Sequence, residues 1–124
     1  MSHKGKVQIT IIFTATPDLV EEGDQIFESH AQWMAESHHR EGEKALLRYN
    51  VSQGAELSNP LDPSSAPTGN TSFVLMEVYE SQAGLDDHWR QGAENWKDFS
   101  NFGAWGSQCQ VTTLHGSPVI HSLW

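Results

Sequence analysis

The chain has 124 residues, 37% of them apolar and 19% charged, which suits one domain around one modest core and excludes a disordered chain. Sixteen acids against seven bases leave a net charge of -9, which excludes a basic groove for nucleic acid and attraction to an anionic membrane surface. The single cysteine, Cys109, excludes an internal disulfide and a cysteine-built zinc site. No apolar run approaches the ~20 residues that span a bilayer. The opening Met-Ser-His-Lys-Gly-Lys leads straight into a strand, so a cytoplasmic protein is expected.

Val7 to Thr14 alternates, with Ile9, Ile11 and Phe13 forming the stronger apolar face of a first strand. Thr16-Pro17 marks a helix start, with Thr as cap and Pro at the first helical position. That helix is expected to run from Pro17 to about His39. Val20, Gly23, Ile26, Phe27, His30, Met34 and His38 share one face, with Trp33 beside it. Ala45 to Ser52 reads as a second strand, with Leu47, Tyr49 and Val51 on one side. Gln53 to Thr71 is rich in Pro, Ser, Asn and Gly and lacks periodicity, so it reads as a long loop inserted in the single domain 1–124.

Ser72 to Phe102 organises the rest. Residues 73–79 form an apolar strand interrupted by one carboxylate, Glu77. Ser81 is placed to cap the helix that follows. Leu85, His88, Trp89, Gly92, Trp96 and Phe99 then recur at helical spacings. Val111 to Leu114 and Val119 to Leu123 read as strand, with His115 to Pro118 as a bend or bulge between them. The order is strand, helix, strand, strand, helix, strand. It predicts an α+β, ferredoxin-like split βαββαβ fold, an antiparallel sheet with helices on one face.

Among the candidate residues His88 leads, since an imidazole on the inner helical face can accept a phenol proton near neutral pH. Glu77 either orients His88 or Arg48, or pairs with Arg48 across the sheet. Trp33, Trp89 and Trp96, with Tyr49, suggest a flat aromatic slot for a planar ligand, or plain core packing. His30 and His38 lie two turns apart on one helix, too far to hold one ion together. Any metal set would need His88, His115 or His121 as well, and no metal site is expected. Trp105 and Trp124, near bends or the terminus, suit a subunit interface.

The segment Phe73-Val-Leu-Met-Glu-Val-Tyr-Glu-Ser-Gln-Ala-Gly-Leu-Asp-Asp-His88 resembles the hallmark segment of antibiotic biosynthesis monooxygenase domains. There an apolar strand with a Glu leads into a helix holding an Ala, a Leu and a His. The Pro-initiated helix with a central His30 and the strand carrying Tyr49 fit as well. The resemblance implies a dimeric α+β barrel, two subunits packed sheet to sheet, with a pocket between sheet and helices. It implies a homodimer that oxygenates a planar phenolic or quinol compound without cofactor. His88 would be the catalytic base, and Trp89, Trp33, Tyr49, His30, Glu77 and Trp96 would form the substrate site. Relatives also include isomerases and proteins without known activity, so a cofactor-free isomerase and a non-catalytic binding or accessory protein stand as alternatives. Haem-degrading relatives carry an Asn on the first strand; Val7 to Thr14 has none, which argues against that activity.

Overall fold

The computed structural model describes residues 2–124. Strand β1 (Val7–Ala15) leads through a 3-10 turn (Pro17–Leu19) into helix α1 (Val20–Ser37), then strands β2 (Leu46–Leu57) and β3 (Pro67–Tyr79). Helices α2 (Gln82–Asn95) and α3 (Phe99–Gly106) follow, then strand β4 (Gln110–Pro118). The four strands form one antiparallel sheet in the order β2-β3-β1-β4. This is the expected ferredoxin-like arrangement, with the helices on one face. No helix among the described residues is long and apolar enough to cross a membrane.

Period-2 alternation decides which strand residues meet the helices. Ile9, Ile11, Phe13 and Ala15 of β1 and Phe73, Leu75, Glu77 and Tyr79 of β3 are all buried. Ile26, Phe27, His30 and Met34 close over them from the inner face of α1, as the spacing predicts. Phe13, Phe27, Phe73 and Trp105 pack with neighbouring ring centroids 5.2 to 5.7 Å apart. On the opposite face of the sheet Thr10, Ile12, Val74 and Met76 are only half-buried, whereas Val78 is buried.

Several expectations are corrected. Gln53 to Thr71 is mostly not a loop: β2 and β3 continue as a long hairpin, with Gly54 opposite Ser72 and Ala55 opposite Thr71. The ladder pairs backbone groups whatever the side chains are, and where both faces meet solvent no apolar alternation is needed. Only residues 58–66 turn, held by Ser58 N–H donating to the Ala66 carbonyl at 2.8 Å. The second helical stretch breaks at Trp96, giving α2 and α3 instead of one helix. The expected bulge within 115–118 is present, opposite Gln8 and Ile9, but β4 runs on through it to Pro118 as one strand. Gly116 sits there at φ +79°, and a Cβ on it would lie 2.4 Å from Leu85 Cδ2. Beyond it Val119 exchanges backbone bonds with Gly5 and Lys6, but residues 119–123 are not a strand. Neither expected cap side chain caps: Thr16 donates to Asp18, and Ser81 to the Glu43 carbonyl. Trp105 is 0% exposed and its indole N–H donates to the Leu19 carbonyl at 2.9 Å. It is a core residue, not an interface residue, because its ring fills the gap between α1 and the sheet.

Gly23 marks the tightest approach of α1 to that core. A Cβ there would lie 2.6 Å from Trp105 Cζ2 and 2.9 Å from Phe73 Cζ. Alanine gains about 1 kcal/mol of helix propensity over glycine, but overpacking costs roughly 1–3 kcal/mol. Gly23→Ala is expected to lower the urea midpoint; an unchanged or raised midpoint would show that the two rings move aside freely.

Candidate functional site

Glu77 lies two residues before the end of β3, opposite Ile9 of β1 and Tyr49 of β2. Its parity turns it toward the helices, and its side chain is 0% exposed. It does not pair with Arg48, which sits exposed on the other parity of β2. Tyr79, two residues on and so on the same face, donates its hydroxyl to Glu77 Oε1. The other oxygen, Oε2, has no hydrogen-bond partner among the described residues.

Two imidazoles flank this carboxylate. His30, from the inner face of α1, shares a 2.8 Å hydrogen bond between Nδ1 and the Tyr49 hydroxyl. Its Nε2 lies 3.9 Å from Glu77 Oε2. His88, from α2, shares a 2.8 Å bond between Nδ1 and His38 Nε2, and its Nε2 lies 3.6 Å from Glu77 Oε1. His38 reaches it because α1 ends there in extended backbone, and Ser37 Oγ lies 2.9 Å from its other ring nitrogen. His30 and His38, two turns apart in sequence, do not converge on one point, as their spacing predicts; His30 and His88 instead flank Glu77 from two helices.

Burial sets the protonation states. It pushes His30 down to about 3, with the nearby His38 adding to the effect. It lowers His88 to about 2, reinforced by His30 and His38. It lowers His38 to about 4, against the pull of Asp87. All three rings are neutral at pH 7. Burial raises Glu77 to about 7, with the Tyr79 hydrogen bond opposing. Tyr49 and Tyr79 are raised by burial and by Glu77, so both stay protonated.

The aromatic residues are placed differently from one another. Trp33 and Trp96 stack on each other, 13° from parallel with centroids 5.5 Å apart. They fill the expected slot with their own rings. Trp89 lies between His88 and His115. Tyr49 orients His30 from β2 and is not among the residues lining the cavity beside Glu77. That cavity, bounded by Ile9, Trp33, Trp89, Trp96 and the two imidazoles, measures about 10 Å³, room for about one water-sized sphere. A separate open cleft of about 260 Å³ is lined by His38, Tyr49, Arg40 and Arg48, so the two outer partners of the imidazoles face a solvent-filled surface. Sequence reasoning missed Tyr79 and His38 as members of this network. The parity of Tyr79 with Glu77 is a readable signal; nothing in the sequence places His38 against His88.

No protein-family model and no curated protein matches the chain. Solved structures do match. One is the crystal structure of PA3566 from Pseudomonas aeruginosa, 17% identical, covering 96% of this chain and 98% of that one at a TM-score of 0.55. Another is a dimeric ferredoxin-like protein from an uncultured marine organism, 13% identical, covering 94% and 99% at a TM-score of 0.58. At these identities the likeness shows the fold, a ferredoxin-like α+β domain, and nothing finer.

The buried groups make stability depend on pH. The imidazoles take up protons near 6.5 when unfolded but only at about 2 to 4 when folded. Their neutral burial therefore favours the fold above pH 6.5 and loses that advantage as pH falls below it. Glu77, raised to about 7 from 4.5, works the other way, losing stability as pH rises between those values. Three groups outweigh one. In chelator-containing buffer the urea midpoint is expected to fall steadily from pH 7 to pH 4.5, measured by tryptophan fluorescence; a flat profile would contradict the neutral burial of the histidines.

Proposed function

We propose that the chain is a small-molecule oxygenase acting on an electron-rich phenol, quinol or anthrone at the His30–Glu77–His88 cluster. The observation that carries this is the buried Glu77 carboxylate at the edge of an aromatic-lined cavity: its Oε2 has no hydrogen-bond partner and lies 3.9 Å from His30 Nε2, and its Oε1 lies 3.6 Å from His88 Nε2. Glu77, rather than His88, takes the substrate proton. Its free lone pairs face the cavity, whereas His88 is committed to His38 through Nδ1 and burial weakens its basicity. Loss of the proton from an anthrone methylene gives a carbanion that reduces dioxygen. One C–O bond forms, and loss of water leaves a carbonyl. One oxygen atom ends in the product and the other in water, so no external reductant is required. The surrounding indoles keep the anion away from bulk water.

The cavity must widen before an aromatic ring can enter, because ligand pockets run to about 300 Å³ or more. Trp33, Trp89, Phe99 and Phe102 line it and are only half-buried, and α2 gives way to α3 beside them at Trp96. These features support a movable outer wall. The filled interior also favours a second reading, a non-catalytic dimeric protein whose aromatics serve packing.

Oxygen uptake against a panel of anthrones, hydroquinones and catechols separates the two. Uptake above autoxidation is expected with wild-type protein, reduced about 100-fold or more in Glu77→Gln, with near-UV circular dichroism confirming the fold. Uptake equal in wild type and Glu77→Gln would sink the assignment of the base. No uptake with any of the panel would favour the non-catalytic reading.

We also propose a homodimer in which two sheets pack face to face. Support comes from the uncovered face bearing Ile12, Val74 and Met76 and from the dimeric description of one structural neighbour. Light scattering is expected to give twice 13.8 kDa, and Met76→Glu is expected to give monomer. A wild-type monomer at high micromolar concentration would refute it.

A further inference from the structure

We infer that His30 Nε2, His88 Nε2 and the Glu77 carboxylate form a binding site for one divalent first-row transition metal ion. The donor atoms of these three residues all lie within 4.8 Å of one another, and all three residues are buried. The gaps from carboxylate to imidazole, 3.6 and 3.9 Å, are too long for hydrogen bonds. Ligands bound at about 2.0–2.2 Å lie roughly 3–3.6 Å apart, so the two carboxylate gaps need to shrink only a little and the widest donor pair somewhat more. Small rotations of the side chains would close the site.

Three independent features fit an ion better than a structural polar cluster. First, each imidazole has an outer partner for Nδ1: Tyr49 for His30 and His38 for His88. In the liganding tautomer each Nδ1–H donates outward and each Nε2 lone pair points at the common centre, the arrangement that orients metal-bound histidines. Second, Tyr79 holds Glu77 Oε1 while the fully buried Oε2 has no partner. An orphaned carboxylate oxygen is costly, and a cation would compensate it. Third, the adjoining cavity has room for about one water-sized sphere, so an additional exchangeable ligand fits beside the ion.

The donor set states the class of ion. Two imidazoles and one carboxylate suit Zn²⁺, Fe²⁺, Co²⁺ or Ni²⁺. Ca²⁺ and Mg²⁺ need more oxygen donors than the site supplies, and no thiolate is present for Cu⁺. The inference stands on the geometry of three side chains and not on the oxygenase reading. An ion here would occupy the lone pairs of Glu77 and replace its action as a base, since coordination can also lower the pKa of a bound hydroxyl.

The test is titration of the chelator-treated full chain with Co²⁺, followed by visible d–d absorption and tryptophan fluorescence. The Trp33 and His88 ring centroids are 5.6 Å apart, so a bound Co²⁺ is expected to quench the indole. Saturation at one Co²⁺ per chain, displaced by Zn²⁺, is expected. Glu77→Gln and His30→Gln are expected to abolish it, and Tyr49→Phe, which removes only the outer partner of His30, to weaken it about tenfold or more. His39→Ala serves as control, because exposed His39 lies 3.8 Å from Asp87 and is the competing surface site. Absence of saturable binding, or binding lost in His39→Ala and retained in Tyr49→Phe and Glu77→Gln, would overturn the site. Co²⁺ binding without oxygen uptake keeps the metal site and removes the oxygenase; uptake by chelator-treated protein that binds no Co²⁺ does the reverse.

Discussion

One carboxylate shut off from bulk water sets the terms for this structure. Glu77 is enclosed near the C-terminal end of β3, and an ionised carboxylate stripped of water is costly unless other groups compensate it. Tyr79 answers one oxygen. The other faces His30 at a distance longer than a hydrogen bond, and His88 stands beyond hydrogen-bond reach of the first. The cost is partly relieved by a raised proton affinity. The polar groups around it, Tyr49, Tyr79, His30, His38 and His88, make sense as one network built to hold that carboxylate.

The network stays in place because its parts stand on regular elements. Glu77 and Tyr79 come from one strand, Tyr49 from its neighbour, His30 from α1 and His88 from α2. The cluster of Phe13, Phe27, Phe73 and Trp105 locks α1 onto the sheet farther along the same strands. Gly23 permits the close approach. The end of the domain that holds the His30–Glu77–His88 cluster is thereby braced by an end made of aromatic packing. Hydrogen bonds on the outer side of each imidazole leave the inner nitrogens facing Glu77, which is why proton transfer and metal coordination are both chemically open to the same three residues.

Much of this was legible. Alternation in Val7 to Thr14 and 73–79, and the helical spacing of His30, Met34 and Leu85, His88, gave the correct elements, and their order gave the correct sheet topology. The buried sides of β1 and α1 were read correctly for the same reason: periodicity reports burial directly. The reading failed where burial does not drive structure. The distal half of the β2–β3 hairpin pairs backbone to backbone in solvent, so Gly54, Pro67 and Gly69 look like loop residues although they lie in strands. Trp105 was misplaced because proximity to glycines says nothing about the depth of the ring it carries.

The sequence by itself determined an α+β fold, its net negative charge, the residues that face inward and the presence of one carboxylate in an apolar strand. These follow from composition and from periods of 2 and 3.6, which are local properties of the chain. Only tertiary structure decided that His30 belongs with His88 rather than with His38. It also decided that Glu77 turns away from Arg48, and that Trp33 and Trp96 fill each other's space. Those relations depend on how two helices cross one sheet, and residues far apart in the chain carry no local signal of the distance that will separate them.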